Sequence, residues 1–291
     1  MPLTTPQKEV ASSNKRFRVL CAGRRFGKSV LAIRELAKFA RHDNKKVLYV
    51  APTYQMCRNI VWGPLKAKLR ELNWVKKVNE ARLEIYLVNG SVIMLRGADN
   101  PDSLRGMGVS FICIDEVADI KPEAWTEVLR PSLSAESPPG SALFVGTPKG
   151  VGNHFKDLFE MANIDDNWQS WQYTTLEGEN VSQSEVDAAK RDLDIRTFRQ
   201  EFEASFESAT NVVYYSFKPQ NNVAKWTGTK EDLKSIYVLT DFNVSPMATL
   251  VAIPTTWGLH VIDEVCLYSS NTDEMVNEIK NITKCRVACK I

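Results

Sequence analysis

The chain has 291 residues, of which 44% are hydrophobic and 25% charged, and its 14 glycines and 13 prolines are too few for a collagen-like or low-complexity chain. No apolar run approaches the roughly 20 residues of a membrane span, and the first residues lack the apolar core of a signal peptide. Composition therefore excludes disordered and fibrous classes and predicts a soluble protein without an export signal. At about 150 residues per domain, the length favours two domains.

Charge is distributed unevenly along the chain. Residues 1–80 contain 18 Lys/Arg and 5 Asp/Glu, a net charge of +13, which leaves −11 for residues 81–291 because the whole chain carries +2. A basic first part favours a polyanionic partner, either a nucleotide or a nucleic acid. Solvated helix faces are the alternative interpretation.

The six cysteines include no C-x-x-C pair, which is typical of a reduced, intracellular protein. Cys285 and Cys289 are spaced as half of a zinc site. A structural zinc site needs four ligands, and nothing in the sequence supplies the other two, so ordinary thiols are favoured.

Short β-rich runs alternate with helical stretches over the first 160 residues. The predicted strands are Phe17–Ala22, Lys46–Ala51, Val109–Asp115 and Ser141–Gly146. The predicted helices are Lys28–Arg41, Gln55–Leu72, Pro122–Leu129 and Asn153–Met161. This alternation predicts an α/β fold with a mostly parallel sheet flanked by helices. Asn89-Gly90 between two alternating apolar runs predicts an added antiparallel hairpin.

The alternation of strands and helices stops after Tyr173. A polar stretch leads into a charged helical segment, Glu185–Glu203, which is typical of a closing or linking region. Strands then follow in quick succession from Lys234, with a turn at Thr255–Gly258 and a helix near Thr272–Ile282. We expect a first domain over residues 1–208, including the linking helices, and a second over residues 209–291.

The segment from Ala22 to Ser29 is close to the phosphate-binding loop G-x-x-x-x-G-K-[ST], and it stands between a predicted strand and a predicted helix, as that motif requires. Backbone N–H groups of such a loop wrap phosphates, while Lys28 neutralises charge and Ser29 ligates Mg²⁺. Ala22 replaces the first glycine, and Gly23 comes one place late. The predicted nucleotide-binding residues of the loop are Ala22, Gly23, Arg24, Arg25, Phe26, Gly27, Lys28 and Ser29.

A second motif is the apolar run of residues 109–114, which ends in Asp115 and Glu116. In phosphate-loop enzymes the first acid binds the Mg²⁺ shell and the second polarises the attacking water. Two acids after an apolar strand can also be surface residues. Together with the phosphate loop, they favour hydrolysis of ATP, with Asp115 as a metal ligand and Glu116 as the catalytic base.

The chain resembles the large terminase subunit of tailed bacteriophages, over essentially its whole length. Besides the two motifs, the resemblance is carried by Gln7, Ala51-Pro52-Thr53, Ser103-Leu104-Arg105-Gly106 and Gly146-Thr147-Pro148. It implies a P-loop NTPase fold of the ASCE type, followed by the first part of an RNase H-like domain. It also implies ATP-driven packaging of double-stranded DNA into a procapsid in the host cytoplasm, by a ring on the capsid portal that works with a small terminase subunit and no membrane.

The resemblance assigns further roles in the motor. Gln7 would read the adenine edge, and Thr147 would sense the γ-phosphate as part of a coupling motif. Arg105 would be an arginine finger acting on a neighbouring subunit. Arg24 and Arg25 would act within their own subunit, although any of these arginines could instead form a structural ion pair.

The second domain resembles the terminase nuclease, whose first strand bears a metal-binding aspartate, here Asp241. Two-metal cleavage with Mg²⁺ or Mn²⁺ needs several carboxylates. Asp263 and Glu264 follow an apolar strand but are expected in a turn. Only 51 residues run from Asp241 to Ile291, so we expect a truncated or separately completed domain that cuts DNA poorly.

Two other functions remain open at this point. Helicases also carry an Ala-Pro-Thr segment and an Asp-Glu pair, but they have a second motor domain, and the sequence after residue 150 shows none. A remnant that binds nucleotide and DNA without turnover is the other alternative.

Overall fold

A computed structural model describes residues 2–99, 106, 108–150, 152–207, 223, 235–243, 245–256 and 258–288. The chain forms two compact units, Met1–Val213 and Tyr214–Ile291. The predicted domain boundary at residues 208 and 209 lies outside the described residues. None of the helices in the described part of the chain is long and apolar enough to span a membrane.

The first unit is built on an eight-stranded sheet. Its strands are β1 (Phe17–Ala22), β2 (Lys46–Ala51), β3 (Val75–Asn79), β4 (Glu84–Leu87), β5 (Val92–Gly97), β6 (Phe111–Ile114), β7 (Ser141–Gly146) and β8 (Trp168–Tyr173). The order is β3-β4-β5-β2-β6-β7-β1-β8. The strands from β5 to β8 in this order pair in parallel, and β3, β4 and β5 pair antiparallel. The predicted parallel sheet with a hairpin at Asn89-Gly90 is confirmed.

Helices cover both faces of this sheet. They are α1 (Thr5–Ser12), α2 (Lys28–Ala40), α3 (Tyr54–Met56), α4 (Gly63–Glu71), α5 (Arg130–Ser134), α6 (His154–Glu160), α7 (Gln183–Asp192) and α8 (Ile195–Phe202). π-Helical turns lead from α3 into α4 at Cys57–Trp62 and into α5 at Ala124–Leu129. The predicted helical segment Glu185–Glu203 forms two helices, α7 and α8: Leu193 between them is extended, and Asp194 caps α8 by accepting from the backbone N–H groups of Arg196 and Thr197.

Successive residues of β1 point into two different apolar layers. Val19 and Cys21 belong to one buried cluster, and Leu20 and Ala22 to the other. A strand that is apolar on both faces needs cover on both faces, which is how parallel sheets are normally found. Burying each large apolar side chain stabilises the fold by roughly 1.5–3 kcal/mol, so the centre of this sheet is a rigid support for the loops at its edge.

The second unit holds a three-stranded antiparallel sheet and a helix. Its elements are β9 (Tyr237–Asp241), β10 (Met247–Thr255), β11 (Gly258–Leu267) and α9 (Thr272–Ala288). The predicted strands, the turn and the helix are present, with Thr255 paired to Gly258. Its small core contains Met247, Val265 and Met275.

Asp263 and Glu264 do not lie in a turn, as the sequence led us to expect. Both lie inside β11, where Asp263 is in register with Val251. The register shifts between Val251 and Ala252, because Ala252 pairs with Val261. One extra residue of β11, between Val261 and Asp263, forms a β-bulge there.

Candidate nucleotide site

Three parallel strands end at the same edge of the first sheet, and their following residues meet there. The phosphate loop follows β1, Asp115 and Glu116 follow β6, and Thr147 follows β7. Around this edge lies a cavity of about 680 Å³. It is lined by Arg24, Arg25, Gly27, Lys28, Ser29, Val30, Met56, Glu116, Asp119, Thr147, Lys149, Asn180 and Glu201.

The loop enters α2 through two residues of left-handed conformation. Arg25 has φ 62° and Gly27, the N-cap of α2, has φ 97°. The first residues of α2, Lys28, Ser29 and Val30, line the cavity, where the N-terminal end of the helix favours an anion. Phe26 is fully buried and stacks on Tyr173, with ring centroids 5.5 Å apart. Phe26 therefore anchors the loop instead of facing the cavity.

The structure explains why glycine stands at position 23 of this variant loop. Ala22 is the last residue of β1, and it pairs in register with Tyr173 of β8. A Cβ atom at Gly23 would lie 2.7 Å from both the carbonyl oxygen of Phe202 and the backbone nitrogen of Thr175. The shifted glycine is thus required by close packing of the loop against residues that follow β8.

Lys28 is held at the centre of the site. Its ammonium group donates to the carbonyl oxygens of Ala22 and Gly23, at 3.0 and 3.2 Å, and to the Thr147 hydroxyl at 2.9 Å. Burial lowers the pKa of Lys28, whereas the nearby carboxylates of Glu116 and Asp115 raise it. The structure thereby brings the predicted phosphate lysine and the predicted coupling threonine into direct contact.

Asp115 and Glu116 diverge at the end of β6. Asp115 is buried, and its carboxylate accepts from the Tyr49 hydroxyl at 2.6 Å and from the backbone N–H of Glu116 at 2.9 Å. Glu116 has φ 47° and ψ 49°, and its side chain lines the cavity. Burial raises the pKa of both carboxyl groups, and the charge of Lys28 opposes the increase in each.

The donors at this edge fit a hard divalent cation. Ser29 offers a hydroxyl and Asp115 a carboxylate, and magnesium prefers such oxygen ligands. Burial raises the pKa of the Asp115 and Glu116 carboxyl groups. A bound cation would oppose this increase, because it favours their charged forms. Within the described residues no group of three or more His, Cys, Asp and Glu side chains could hold a metal alone. A magnesium ion here would need oxygen ligands from water or from a phosphate.

The predicted arginines have different surroundings. Arg24 forms an ion pair with Glu201 of α8, and its backbone N–H donates to the Glu201 carbonyl oxygen at 2.7 Å. Arg25 is exposed and lines the cavity. Arg105 lies outside the described residues, so its predicted role stays a prediction.

Gln7 lies beside the loop and is 2% exposed. Its amide nitrogen donates to the carbonyl oxygens of Phe26 and Gly27, at 3.0 and 3.4 Å. Its amide oxygen accepts from the backbone N–H of Thr4 as part of a capping box. Gln7 thus fastens α1 to the phosphate loop, and adenine reading by this side chain stays a prediction.

Several residues at the site were missed by sequence reasoning. Tyr49 supports Asp115, and Glu201 pairs with Arg24. The Asn180 amide donates to the Phe26 carbonyl oxygen at 2.9 Å, and the Thr175 hydroxyl donates to the Arg24 carbonyl oxygen at 2.7 Å. Tyr49 lies in an apolar run that indicates core, and the others come from distant parts of the chain, so no local signal marks them.

Basic residues from the first part of the chain gather at a second cavity, of about 490 Å³, lined by residues of α1, α2 and α4. The basic lining residues are Lys8, Arg34, Lys38, Arg41 and Lys68. Among the described residues, none of the carboxylates forms an ion pair with Lys8, Arg34 or Arg41. Part of the excess positive charge predicted from the sequence is therefore concentrated in one place.

Asp241 lies in the second unit, at the end of β9. It is exposed and stands in register with Ala248 of β10. The described residues bring no three-carboxylate group together around it. Its role as a nuclease metal ligand stays a prediction.

The sheet is mostly parallel, and β7 lies between β6 and β1. A phosphate loop follows β1, and two acidic residues follow β6. This arrangement defines a P-loop NTPase fold. The family model described as "Terminase large subunit, T4likevirus-type, N-terminal" matches residues 19–238. The chain belongs to the terminase large subunit family.

Two relatives and two solved structures illustrate this membership. The large terminase subunits of Escherichia phage T5 and Thermus phage G20c are 32% and 29% identical, over 75% and 72% of this chain. The chain spans about half the length of these relatives, 50% and 49%. The large terminase ATPase domain of Thermus phage P74-26 has a TM-score of 0.61 at 26% identity, covering 71% of this chain and 94% of that domain. A large terminase from a thermophilic bacteriophage in complex with ADP has a TM-score of 0.62 at 16% identity, covering 97% and 74%, which is a likeness of fold.

Proposed function

We propose that the first unit binds ATP with Mg²⁺ and hydrolyses it. The observation that carries this proposal is the convergence of Lys28, Thr147 and Glu116 on one cavity beside the N-terminus of α2. The solved relative from Thermus phage P74-26 is described as an ATPase domain, which supports the same function for this chain.

In the proposed reaction, the loop N–H groups and Lys28 bind the phosphates, and Glu116 polarises a water molecule for attack on the γ-phosphorus. Thr147 contacts Lys28, so it is placed to respond to a change at the phosphates. Ser29 and Asp115 would hold Mg²⁺, which when bound would neutralise charge on the phosphate oxygens. Tyr49 orients Asp115 from beneath the site.

Phosphate release by Glu116→Gln tests the proposal. Loss of a general base lowers the rate by about 10²–10⁴-fold, and we expect ATP binding to persist. Glu123→Gln is the matched control, because Glu123 is an exposed carboxylate that does not line the cavity. Undiminished phosphate release by Glu116→Gln would rule out the assigned base, and equal loss in both variants would indicate a nonspecific effect.

We propose further that ATP hydrolysis drives double-stranded DNA into a procapsid in the host cytoplasm. The working assembly would be a homo-oligomeric ring on the capsid portal, with the small terminase subunit as partner and Arg105 as the finger acting across subunits. Family membership supports this proposal. Arg105→Ala should abolish ATPase activity of the assembled ring, and mixing it with Glu116→Gln subunits should restore part of it if the finger acts in trans.

DNA contact is proposed to be with phosphates, through cations such as those at the second cavity. Binding should then depend little on sequence and weaken steeply as salt increases, because released counterions drive it. Fluorescence anisotropy with two unrelated duplexes over a salt series measures both properties. A flat salt dependence would contradict the proposal.

For the second unit we propose an RNase H-like nuclease fold in which Asp241 is one metal ligand. Cleavage by this chain should be weak, since the described residues supply no group of three metal-binding side chains. Plasmid cleavage with Mg²⁺ or Mn²⁺ measures it. Strong cleavage that is abolished in Asp241→Ala would support the ligand and contradict the expected weakness.

A further inference from the structure

Glu201 introduces a negative charge into the cavity that we propose for ATP. It lies in the last turn of α8, its side chain is 14% exposed, and it lines the same cavity as Lys28 and Glu116. A carboxylate beside a triphosphate site can engage a cation that would otherwise bind the phosphates. The cation paired with Glu201 is Arg24 of the phosphate loop.

The backbone around this ion pair is fixed on both sides. The Arg24 N–H donates to the Glu201 carbonyl oxygen, and the Arg24 carbonyl oxygen accepts from the Thr175 hydroxyl, each at 2.7 Å. The Thr175 N–H donates to the Phe202 carbonyl oxygen, also at 2.7 Å. The end of α8 is therefore built onto the loop, and it holds the carboxylate in one place.

The Arg24 side chain is much less enclosed than its partner. It is 68% exposed, and Glu201 is the main cause of its raised pKa, through a hydrogen bond and then through charge. Glu201 engages Arg24 through the guanidinium Nε, one of the five N–H donors that this planar group can offer to a carboxylate or a phosphate. A phosphate arriving at the loop would compete with Glu201 for this group.

From these observations we infer that Glu201 is a positioning residue, a counter-ion that holds Arg24 at the mouth of the site until a nucleotide phosphate replaces it. The inference rests on the proposed ATP site. Nucleotide binding then breaks the side-chain link between the loop and α8 and leaves the backbone links in place. ATP therefore binds more weakly than it would without the Glu201 carboxylate, because Glu201 competes with the phosphates for Arg24.

The test is a double-mutant cycle on the full chain, with ATPγS affinity measured by calorimetry. Glu201→Gln should tighten binding by about two- to tenfold, the range for a coupled pair that is partly exposed. In an Arg24→Gln background the same change should tighten binding less than twofold. Arg24→Gln alone should weaken binding.

Glu203→Gln is the matched control. It removes the same charge one residue beyond the same helix, but Glu203 is exposed and does not line the cavity, so its affinity should equal that of the wild type. Weaker binding by Glu201→Gln, or equal tightening in both backgrounds, would overturn the inference. A merely structural Glu201 would weaken binding and would not depend on Arg24.

If Glu201→Gln does not fold, Glu201→Asp provides the second measurement. It keeps the charge but withdraws the carboxylate by one methylene, so it should also tighten ATPγS binding, and unchanged or weaker affinity would overturn the inference. Failure of the proposed function is distinguishable, because then the wild type itself would not bind ATPγS.

Discussion

Strand β1 of the first unit and strand β9 of the second are both short apolar runs, but their surroundings differ. Every residue of β1 is buried. In β9, Tyr237, Val238 and Leu239 are 52%, 45% and 43% exposed. Both runs form strands, so an apolar run predicts that a strand forms but does not predict whether other elements pack on its two faces. The phosphate loop follows the strand that is covered on both faces.

Two aspartates show the same difference. Asp115 directly follows strand β6 and Asp241 is the last residue of β9, and the local sequence pattern is similar. Asp115 is 4% exposed and accepts two hydrogen bonds, from Tyr49 and Glu116, whereas Asp241 is exposed. The pattern alone therefore does not define a site, and the groups brought in by neighbouring strands do.

The largest effect should come from a buried ion pair that supports β1. Arg18 and Glu35 have side chains 2% and 1% exposed, and they contact at 2.5 Å. Arg18→Met should destabilise the first unit by about 3–5 kcal/mol, because it removes the buried partner of the Glu35 carboxylate and leaves the half-exposed Lys38, at 3.4 Å, to pair with it. Denaturant unfolding measures this change. The double variant Arg18→Met with Glu35→Met should recover most of the loss, and a double variant as unstable as the single one would contradict this account.

Leucine truncation in each unit tests the contrast in cover directly. Leu143→Ala, at a fully buried position in β7, should cost about 2–5 kcal/mol. Leu239→Ala, at an exposed position in β9, should change stability by less than about 0.5 kcal/mol. Hydrogen exchange, read separately for the two strands, gives both values. Comparable losses would show that β9 is covered by something other than the described residues.

A smaller effect is expected at the support of Asp115. Tyr49→Phe removes the hydroxyl that donates to this buried carboxylate, and it should cost about 1–3 kcal/mol and slow phosphate release. Tyr86→Phe is the control, since it removes a similar hydroxyl–carboxylate bond, to Glu84, at a side chain that is 38% exposed. Phosphate release by Tyr86→Phe should match the wild type, and a slower rate would contradict a role specific to Tyr49.

The smallest effect should come from the second aspartate. Asp241→Asn changes an exposed side chain, so the stability of the second unit should shift by no more than about 0.5 kcal/mol. Thermal unfolding of the full chain, followed by hydrogen exchange in β9, measures it. A larger loss would show that Asp241 has structural partners outside the described residues.

The sequence predicted the strands best where both faces are buried. The bounds of β1, β2 and β7 agree with the prediction because such strands are continuous apolar runs between breaks. Strands β3 and β8 were missed because their sequences, VKKVN and WQSWQY, are largely polar. The break between α7 and α8 depends on a single capping residue, Asp194, inside a segment of continuous helical propensity.

The candidate site was predictable where function is local in sequence. Gly27, Lys28 and Ser29 follow one strand, and Asp115 and Glu116 follow another, so each motif appears within a few residues. Residues that support the site from distant parts of the sequence leave no such local pattern. Glu201 lies 177 residues after its partner Arg24, and only the folded chain shows that α8 reaches the loop.

The left-handed backbone of Glu116 affects which substitutions selection would favour at this position. Residues other than glycine and asparagine rarely adopt its φ of 47°. A residue in this conformation lowers the stability of the fold by about 1–3 kcal/mol. Replacement by glycine would relieve that strain and remove the carboxylate in the same step. Under the role proposed for Glu116, selection for heat resistance alone would thus favour a protein without its general base, and selection for turnover would retain the glutamate.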